Sequence, residues 1–386
     1  MVSTYRTQCG IADYTADLSA ALAQRGVATA TVAIDRERLH YMTERELHTE
    51  FARLAAATAE HDIVHVQHEY GFFAGAYGWG TSLRVFTRFL DHLRARRTPV
   101  VVTMHTEPVA LGGPARSLRD QVRTLGRRHL WWELTRRVGA HRQVQVVVHS
   151  RTTRRRLIEV GLDPASIHVM SQGVREMGPE PAATSTAAQR SRLGIPPEAT
   201  VLGIFGFLSR YKGYHLALEA MLRLPEDCHL LIIGAPHPFG RDSALEDVLH
   251  ILEKRRKLRG RVHLAGFVPQ GELAAYRACV DICLAPYLTS ARLSSSAAVS
   301  WGLASGRPVI ASRIAAFEEL AQEAGCLQLV EPERPRELAF AIEHLISTPQ
   351  RSAELVAAAA RHCAANTWSH RAADHLELYA AVRSGT

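Results

Sequence analysis

The sequence is poor in lysine, in clustered cysteine and in long apolar runs. Only three of its 46 lysine and arginine residues are lysines, at positions 212, 254 and 257. The six cysteines are scattered, and no CxxC pair or Cys/His cluster has the spacing of a structural zinc site. No apolar run approaches the roughly 20 residues of a membrane-spanning helix, and no signal-peptide pattern opens the chain. We therefore expect reduced thiols, no metal, and a cytoplasmic location that is at most peripheral to the inner membrane face.

Length and charge limit the classes of protein that remain. A chain of 386 residues is too long for one ordinary core and predicts two domains of roughly 150–200 residues each. Its formal net charge of +8 attracts phosphates, acidic substrates, anionic lipid or nucleic acid. The sequence does not support binding of nucleic acid, because it has no zinc-finger spacing, no RNP-like aromatic motif and no basic helix leading into heptads. An anionic small molecule or an anionic surface remains.

Strand-like and helix-like patterns alternate along nearly the whole chain. Apolar runs of strand length recur between segments in which apolar residues are spaced as on one face of a helix. This β-α-β rhythm predicts an α/β fold with parallel, doubly wound sheets. The expected strands are a short one beginning at residue 2 and others near 28–34, 63–67, 100–104, 144–148, 201–205, 230–233, 262–264, 282–285 and 309–311.

A proline-rich stretch interrupts this rhythm in the middle of the chain. Pro179, Pro181, Pro196 and Pro197 lie among alanine, serine and threonine residues, a composition typical of a linker. Two α/β halves joined in this way predict two Rossmann-like domains, whose ligands bind beyond the carboxyl ends of the strands. The expected divisions are a first domain at 1–178, a linker at 179–200, a second domain at 201–365, and a last amphipathic helix at 366–386 that packs back on the first domain or is an ordinary final core helix.

The segment from Gly203 to Gly213 has the pattern of a strand, a loop and the start of a helix. The apolar run crosses a glycine and ends in two cations, Arg210 and Lys212. Such a loop directs backbone N–H groups and fixed cations at an anion, typically a phosphate. A surface lysine that merely opens a helix would give the same local pattern. A NAD-dependent oxidoreductase would need G-x-G-x-x-G with an acidic residue about 20 residues later, and the glycines here lack that spacing.

Eight short motifs follow one another along the chain. They are Cys9–Thr15, His65–Glu69, Val102–His105, Val148–Ser150, Ser171–Val174, Gly206–Gly213, Gly266–Val268 and Ala304–Ile310. In this order they resemble the motifs of glycosyltransferase family 4, in particular a bacterial branch with a CGIA-type N-terminal loop. Each motif is weak alone, whereas eight in the correct order are specific. The resemblance implies a GT-B fold, in which two Rossmann-like domains with parallel sheets face a central cleft.

The resemblance also implies an activity, that of a hexosyl-type glycosyltransferase. Members of this family move a sugar from a nucleotide-diphosphate sugar to a hydroxyl acceptor, with retention at the anomeric carbon and without an essential metal or other cofactor. The leaving phosphate acts as the base in a front-face displacement, so no protein nucleophile is expected. The expected partners are a nucleotide-diphosphate sugar and a hydroxyl acceptor, which is a small molecule, a lipid or a glycan; an anionic acceptor would suit the positive net charge.

By resemblance, three groups of residues form the expected site. Cations and a helix N-terminus would stabilise charge on the departing diphosphate, and a histidine would support the positive charge at the anomeric carbon. The expected catalytic residues are His68, Arg210 and Lys212. The expected donor-binding residues are Gly10, Gly206, Val268, Ser294, Ser295, Ser296 and Ser300, and the expected residues on the acceptor side are Glu69, His105 and Glu107.

Several of these residues have a simpler interpretation from the sequence alone. The serines at 294–296 would equally form an N-cap for the following helix, and Gly10 would be an ordinary turn glycine. His68 is one of 20 histidines, so its position at a strand end says little by itself. Glu69 would either accept a hydrogen bond from the acceptor or fix the tautomer of His68.

The chain departs from the family pattern at three positions. Two glutamates separated by seven residues normally precede the Gly–Pro–Val strand, and Arg292 and Ser300 occupy those positions here. Phe207 replaces the arginine that usually follows the first glycine of the phosphate loop. The second hypothesis is therefore a catalytically silent GT-B protein that binds a nucleotide or a partner.

The segment from Arg116 to Arg156 is dense in arginine and contains Trp131 and Trp132. On a helix it would form a basic amphipathic face that touches anionic lipid, or it would bind a phosphorylated or polyanionic acceptor. A solvated arginine face with both tryptophans in the core is the simpler interpretation. The sequence alone is compatible with all three interpretations.

Overall fold

The computed structural model describes residues 1–106, 129, 133–136, 138, 144–176, 181–238, 243–291 and 293–384. The chain divides into two compact units. The first unit consists of Met1–Gly173, Arg292–Ser295 and Trp368–Thr386, and the second consists of Val174–Ala291 and Ser296–Thr367. Over the described residues, each unit is built on one six-stranded sheet in which all neighbouring strands are parallel.

Two central strands in the sheet of the first unit end at the same level. Its strands are β1 Val2–Ser3, β2 Val32–Ala33, β3 Val64–His68, β4 Val100–Met104, β5 Val144–Val148 and β6 Ile167–Val169, in the spatial order β2-β1-β3-β4-β5-β6. The strands β3 and β4 are buried throughout, and His68 pairs with Met104 at their carboxyl ends. The N–H of His105 then donates to the carbonyl of His68 at 3.1 Å. Two residues of the expected site, His68 and His105, therefore lie at the carboxyl ends of adjacent strands.

The sheet of the second unit repeats this arrangement. Its strands are β7 Thr200–Phe205, β8 Cys228–Ile233, β9 Val262–Gly266, β10 Ile282–Ala285, β11 Val309–Ser312 and β12 Gln328–Val330, in the spatial order β12-β11-β10-β7-β8-β9. The central strands are almost wholly apolar and buried, as parallel strands covered on both faces must be. Phe205 pairs with Ile233, so the loops after β7 and β8 leave the sheet side by side.

Helices cover the sheets, and local sequence explains several of their boundaries. Thr43 and Glu46 form a reciprocal capping box at the start of one helix, and prolines open two others at Pro335 and Pro349. The helices of the first unit are Gly10–Ala23, Arg36–His40, Glu44–Ala56, Tyr70–Phe73, Trp79–Ala95, Arg151–Glu159 and Trp368–Ser384. Those of the second unit are Ala183–Arg192, Tyr214–Met221, Ala244–Lys254, Leu273–Ala278, Ala297–Ala304, Ala315–Ala324, Pro335–Ser347 and Pro349–Ala365. Single turns of 3₁₀-helix lie at Pro164–Ser166, Arg210–Lys212, Arg256–Leu258 and Gln270–Glu272.

The last helix, Trp368–Ser384, belongs to the first unit and packs on the helix Gly10–Ala23. Tyr14 meets the indole of Trp368 edge-on, with 4.8 Å between the ring centroids. Gly173 lies against the same indole so closely that a β-carbon there would be 2.4 Å from it. The apolar side chains of both helices continue this contact in one buried cluster. The C-terminal segment is thereby fixed on the unit that the N-terminal residues form.

The expected α/β class with two parallel Rossmann-like sheets is confirmed, and the strand at residue 2 is as short as expected. The expected strands 100–104, 144–148 and 282–285 agree with the structure at both ends. The strands β6 and β12 were not expected, because three residues carry too little periodicity.

The structure differs from expectation over the segment 179–200, which contains the helix Ala183–Arg192. Arg190 of this helix forms an ion pair with Asp281 at 2.9 Å and donates to backbone carbonyls of the second unit. The sequence does not predict this helix, because its apolar residues do not follow a helical period and only Gln189 is buried on it. The helix is therefore attached to the second unit rather than being a featureless linker.

Candidate active site

The loop after β7 is held against the end of β8 by its backbone. The N–H of Gly206 donates to the carbonyl of Ile233 at 2.9 Å. Gly206 has a φ of +90°, a left-handed conformation that favours glycine. Glycine is also required at Gly234, where a β-carbon would lie 2.1 Å from the carbonyl oxygen of Gly206. The position of this loop is therefore set by close contact between two backbone segments.

Lys212 is buried next to this loop, with only 6% of its surface exposed. Its Nζ lies 3.5 Å from the carbonyl oxygen of Phe205, and a β-carbon on Gly206 would come within 2.8 Å of it. Burying an ammonium group is costly unless hydrogen bonds or an anion compensate for the lost water. The interpretation of Lys212 as an ordinary surface lysine is therefore wrong. The second unit presents a fixed positive charge at its glycine loop.

The helix Ala297–Ala304 begins at the same loop. The β-carbon of Ala298, in its first turn, is 3.7 Å from the position that a β-carbon on Gly206 would occupy. The first N–H groups of a helix have no partner within it, and the helix dipole adds partial positive charge at this end. A buried ammonium and a helix N-terminus therefore flank one glycine, an arrangement suited to a phosphate.

The three serines that precede this helix act differently from one another. Ser296 is its N-cap and accepts a hydrogen bond from the N–H of Val299 at 3.4 Å, so the simpler interpretation holds for this residue. Ser294 donates to the carbonyl of Met104 at 3.1 Å. Ser295 donates to Oε1 of Gln172 at 2.7 Å. The hydroxyls of Ser294 and Ser295 are thus engaged within the first unit, which differs from the expectation that they are available to phosphate.

Arg210 extends from the second unit into solvent, with its side chain 57% exposed. Its guanidinium binds both carboxylate oxygens of Asp247, at 2.6 and 3.0 Å, and donates to Ser243. This pairing lowers the pKa of the Asp247 carboxyl below its usual value. Asp247 could not be predicted as the partner of Arg210, because the contact depends on how the helix Ala244–Lys254 packs. The charge of Arg210 is partly neutralised, unlike the role expected of a catalytic cation.

His68, at the end of β3, is completely buried among aromatic rings. Ring centroids of Tyr70, Phe86 and Phe73 lie 5.1, 4.4 and 5.4 Å from its own. Neither ring nitrogen has a hydrogen-bond partner among the described residues. Burial lowers the pKa of His68 to about 3, so the imidazole is neutral. Two unsatisfied nitrogens in such an enclosure are costly, which makes a purely structural role difficult to explain.

Glu69 caps the helix Tyr70–Phe73 and is mostly removed from water. Its carboxylate accepts hydrogen bonds from the N–H of Gly71 and from the hydroxyl of Thr106, the latter at 3.3 Å. Burial raises the pKa of this carboxyl, against the opposing effect of the Gly71 hydrogen bond. The expected alternative in which Glu69 fixes the tautomer of His68 is not what the structure shows, because the nitrogens of His68 have no such partner.

His105 follows β4 and is half-buried beside His68. Its Nε2 lies 2.8 Å from Oε1 of Gln67, and its ring contacts those of Tyr14 and His149. Sequence reasoning missed Gln67. The available signal was the alternation of polar residues in a strand, VHVQH, that is buried along its whole length.

The remaining expected site residues are spread over both units. Gly10 opens the helix Gly10–Ala23 and is exposed; among the described residues nothing lies within 4 Å of a β-carbon placed there. Val268 is buried just after β9, and Ser300 is half-buried in the helix Ala297–Ala304. Glu107 and Arg292 lie outside the described residues, as do Trp131, Trp132 and most of the basic segment up to residue 143.

The described part of the chain lacks two kinds of feature. No three His, Cys, Asp or Glu side chains there are grouped so that they would hold a metal ion. None of the helices described has both the length and the apolar character needed to cross a membrane.

Comparison with known families assigns both halves of the chain. Residues 9–176 match the family model described as Glycosyltransferase Family 4, and residues 199–348 match the model described as Glycosyl transferases group 1. The chain belongs to glycosyltransferase family 4. Together the matched segments of this family 4 protein include the loop at Gly10, the strand ends at His68 and His105, and the loop from Gly206 to Gly213.

A curated relative supports the assignment over part of the chain. The family 4 protein is similar to a D-inositol 3-phosphate glycosyltransferase of Corynebacterium urealyticum, with 31% identity over 202 residues, which is 50% of this chain and 46% of the relative. The match thus spans about half the length of that protein.

Solved structures extend the likeness to the whole fold. Sucrose-phosphate synthase from Thermosynechococcus elongatus has a TM-score of 0.75 and 19% identity, covering 100% of this chain and 99% of that one. HepE from Anabaena, solved in complex with UDP-glucose, has a TM-score of 0.71 and 16% identity, covering 97% of this chain and 98% of that one. At these identities the likeness concerns the fold alone, and it confirms the expected GT-B class.

Proposed function

We propose that this family 4 protein is a retaining, metal-independent, cytoplasmic glycosyltransferase that moves a sugar from a nucleotide-diphosphate sugar to a hydroxyl acceptor. The observation that carries the proposal is the burial of Lys212 against Gly206 beside the N-terminus of the helix Ala297–Ala304. Departure of a nucleoside diphosphate develops negative charge on its phosphate oxygens. A preorganised ammonium and free helix N–H groups stabilise that charge without a metal ion.

The reaction is a front-face displacement. The bond between the anomeric carbon and the diphosphate oxygen breaks, and the acceptor oxygen bonds to the same face of the same carbon. The acceptor proton passes to the departing diphosphate, so the protein supplies no nucleophile. The nitrogens of the neutral His68 imidazole have no partner among the residues that the structure describes, and they suit hydrogen bonds to sugar hydroxyls near the developing positive charge.

The donor and the acceptor are proposed from the relatives and from charge. HepE was solved with UDP-glucose, which supports a UDP-sugar as the first donor to test. The relative named a D-inositol 3-phosphate glycosyltransferase supports a small, phosphorylated polyol as the acceptor. The net charge of +8 of the chain is opposite in sign to a phosphorylated acceptor and would attract it.

The test is transfer by the wild type and by two lysine variants. Lys212→Met is expected to lower kcat/KM about a hundredfold or more and to weaken binding of UDP, because it removes one preorganised stabilising group. Lys254→Met is the matched control, since Lys254 is one of the other two lysines and is exposed on the helix Ala244–Lys254. Equal activity of the two variants would refute the assignment. Full activity in excess EDTA is expected if no metal takes part.

The second candidate is a silent GT-B protein that binds a nucleotide. Ser300 stands where the family has a glutamate, and Arg210, which was expected to stabilise the diphosphate, is paired with Asp247 instead. Calorimetry separates the two candidates. Binding of UDP that depends on Lys212, together with neither transfer nor hydrolysis of any nucleotide sugar in a panel, would establish the silent protein.

A further inference from the structure

A row of buried polar side chains follows one face of β3 in the first unit. His65 and Gln67 are two residues apart, so their side chains leave the same face of the sheet. Both are buried, as is Thr103 on the neighbouring strand β4. Parallel strands covered on both faces normally carry apolar side chains, so a buried polar row of this kind calls for an explanation.

The row connects His105 to the last helix. Nε2 of His105 lies 2.8 Å from Oε1 of Gln67, and Nε2 of Gln67 lies 3.3 Å from Nε2 of His65. His65 also contacts the hydroxyl of Thr103 at 2.7 Å through Nε2 and the hydroxyl of Tyr379 at 2.6 Å through Nδ1. The contacts extend from the half-buried strand end to a buried tyrosine of the helix Trp368–Ser384.

The contact with Gln67 decides which nitrogen of His105 carries a proton. A carbonyl oxygen accepts hydrogen bonds and does not donate them, so Nε2 of His105 is protonated. Burial, with further contributions from His149 and His68, holds the pKa of His105 well below its usual value, and the ring is neutral. A neutral imidazole protonated at Nε2 has an unprotonated Nδ1 that accepts hydrogen bonds.

We propose that Gln67 is a positioning residue that holds His105 in this tautomer, so that Nδ1 of His105 accepts a hydrogen bond from a substrate hydroxyl. His65 and Tyr379 keep the amide of Gln67 in the required orientation. The amide N–H of Gln67 donates to Nε2 of His65, and the Nδ1–H of His65 donates to the hydroxyl of Tyr379. The role toward substrate rests on the proposed glycosyl transfer, whereas the tautomer does not.

The first test uses the wild-type protein without substrate. Long-range ¹H–¹⁵N spectra of ¹⁵N-histidine-labelled protein distinguish protonated from unprotonated ring nitrogens, and the loss of signals in His105→Gln assigns the residue. The expected result is His105 protonated at Nε2 alone at pH 7. Protonation at Nδ1 would mean that the amide of Gln67 has the opposite orientation and would overturn the proposal, whatever the activity of the protein.

The second test compares one substitution in two similar pairs. Gln67→Glu places a carboxylate against His105, and Gln145→Glu does the same against His168, whose Nε2 lies 2.7 Å from Oε1 of Gln145. An adjacent opposite charge is expected to raise the pKa of the contacted histidine by about one to three units. Gln67→Glu should therefore change the titration of His105 but not of His168, and Gln145→Glu the reverse.

Kinetics then connects the tautomer to substrate. The titratable rings that face His105 among the described residues are Tyr14, His149 and His68. Because only neutral His105 accepts at Nδ1, Gln67→Glu should move the acid limb of the kcat/KM profile upward with the pKa of His105, and Gln145→Glu should not. If the pKa of His105 rises in Gln67→Glu but the acid limb of the kcat/KM profile does not move, the proposed role of His105 in substrate binding is refuted. An unchanged titration of His105 in a folded Gln67→Glu variant would refute the positioning itself.

Tyr379→Phe tests the far end of the row without adding charge. Loss of one buried hydrogen bond is expected to let the Gln67 amide turn, to give a mixture of His105 tautomers, and to lower kcat/KM about tenfold. Unchanged Nε2 protonation in this variant, with thermal unfolding like that of the wild type, would remove Tyr379 and His65 from the proposal.

Discussion

Arg210 and Asp247 are joined by two hydrogen bonds, at 2.6 and 3.0 Å, although 37 residues separate them in the sequence. The pair lies at the surface, whereas Lys212 two residues further on is buried. The two cations of one loop therefore face different surroundings. Only Lys212 has been desolvated, and an interaction with phosphate is stronger where water is excluded.

We expect Arg210→Ala to cost much less than Lys212→Ala. A solvent-exposed cation already paired with a carboxylate is screened, so its loss should lower kcat/KM tenfold at most, against about a hundredfold for the buried ammonium. Steady-state kinetics with a nucleotide-sugar donor measures both. Equal losses would mean that Arg210 leaves Asp247 when donor binds. Asp247→Asn is the companion variant, and it should leave kcat unchanged.

Gly206→Ala should abolish donor binding while leaving the protein folded. The φ of +90° makes a β-carbon strained by about 1–2 kcal/mol, and that carbon would lie 2.8 Å from Nζ of Lys212. Gly260→Ala is the matched control, because Gly260 has a φ of +74° and no described atom within 4 Å of its β-carbon. Both variants should lose similar stability in urea unfolding, and only Gly206→Ala should lose affinity for UDP in calorimetry. Equal affinity in the two would contradict the placement of the phosphate.

His68→Phe should lower the activity and raise the stability of the protein. Phenylalanine keeps the aromatic packing and removes two buried nitrogens that have no hydrogen-bond partner within the described part of the chain, which is expected to raise the free energy of unfolding by about 1–2 kcal/mol. The same change removes the only polar group of that ring and should lower kcat about a hundredfold. Urea unfolding and turnover are measured on one preparation. A variant that is less stable yet fully active would show that His68 is an ordinary core residue.

Stability should fall as the pH falls from about 6.5 toward 4. Burial lowers the pKa of His68 to about 3 and those of His149 and His375 to about 4, so each is neutral when folded and takes up a proton near pH 6.5 when unfolded. The unfolded state then binds more protons, and stability is present above pH 6.5 and lost below it. Each such histidine contributes a slope of about 1.4 kcal/mol per pH unit.

Thermal unfolding scanned over pH checks this slope, and His68→Phe is the internal control. The variant should show a shallower decline between pH 6.5 and 4, because one depressed histidine has been removed. Identical declines in the two proteins would mean that His68 is protonated in the folded state.

The bounds of several central strands could be predicted from the sequence because apolar runs of four to six residues have few alternative structures. Runs such as Val100–Met104 and Ile282–Ala285 are bounded by polar or turn residues on each side, and they agree with the structure at both ends. Short strands at the sheet edges, such as β6 and β12, could not be predicted because three residues do not establish a hydrophobic period.

The sequence by itself determined two α/β halves, their parallel sheets and the loop that carries Lys212, because these depend on local periodicity and on glycine. Tertiary structure alone decided which charges and tautomers the site contains. Burial of Lys212, pairing of Arg210 with Asp247, and the contact of Tyr379 with His65 across 314 residues arise only when distant elements pack. Desolvation and hydrogen-bond partners set the charge of a side chain, and neither is encoded in the neighbouring residues of the chain.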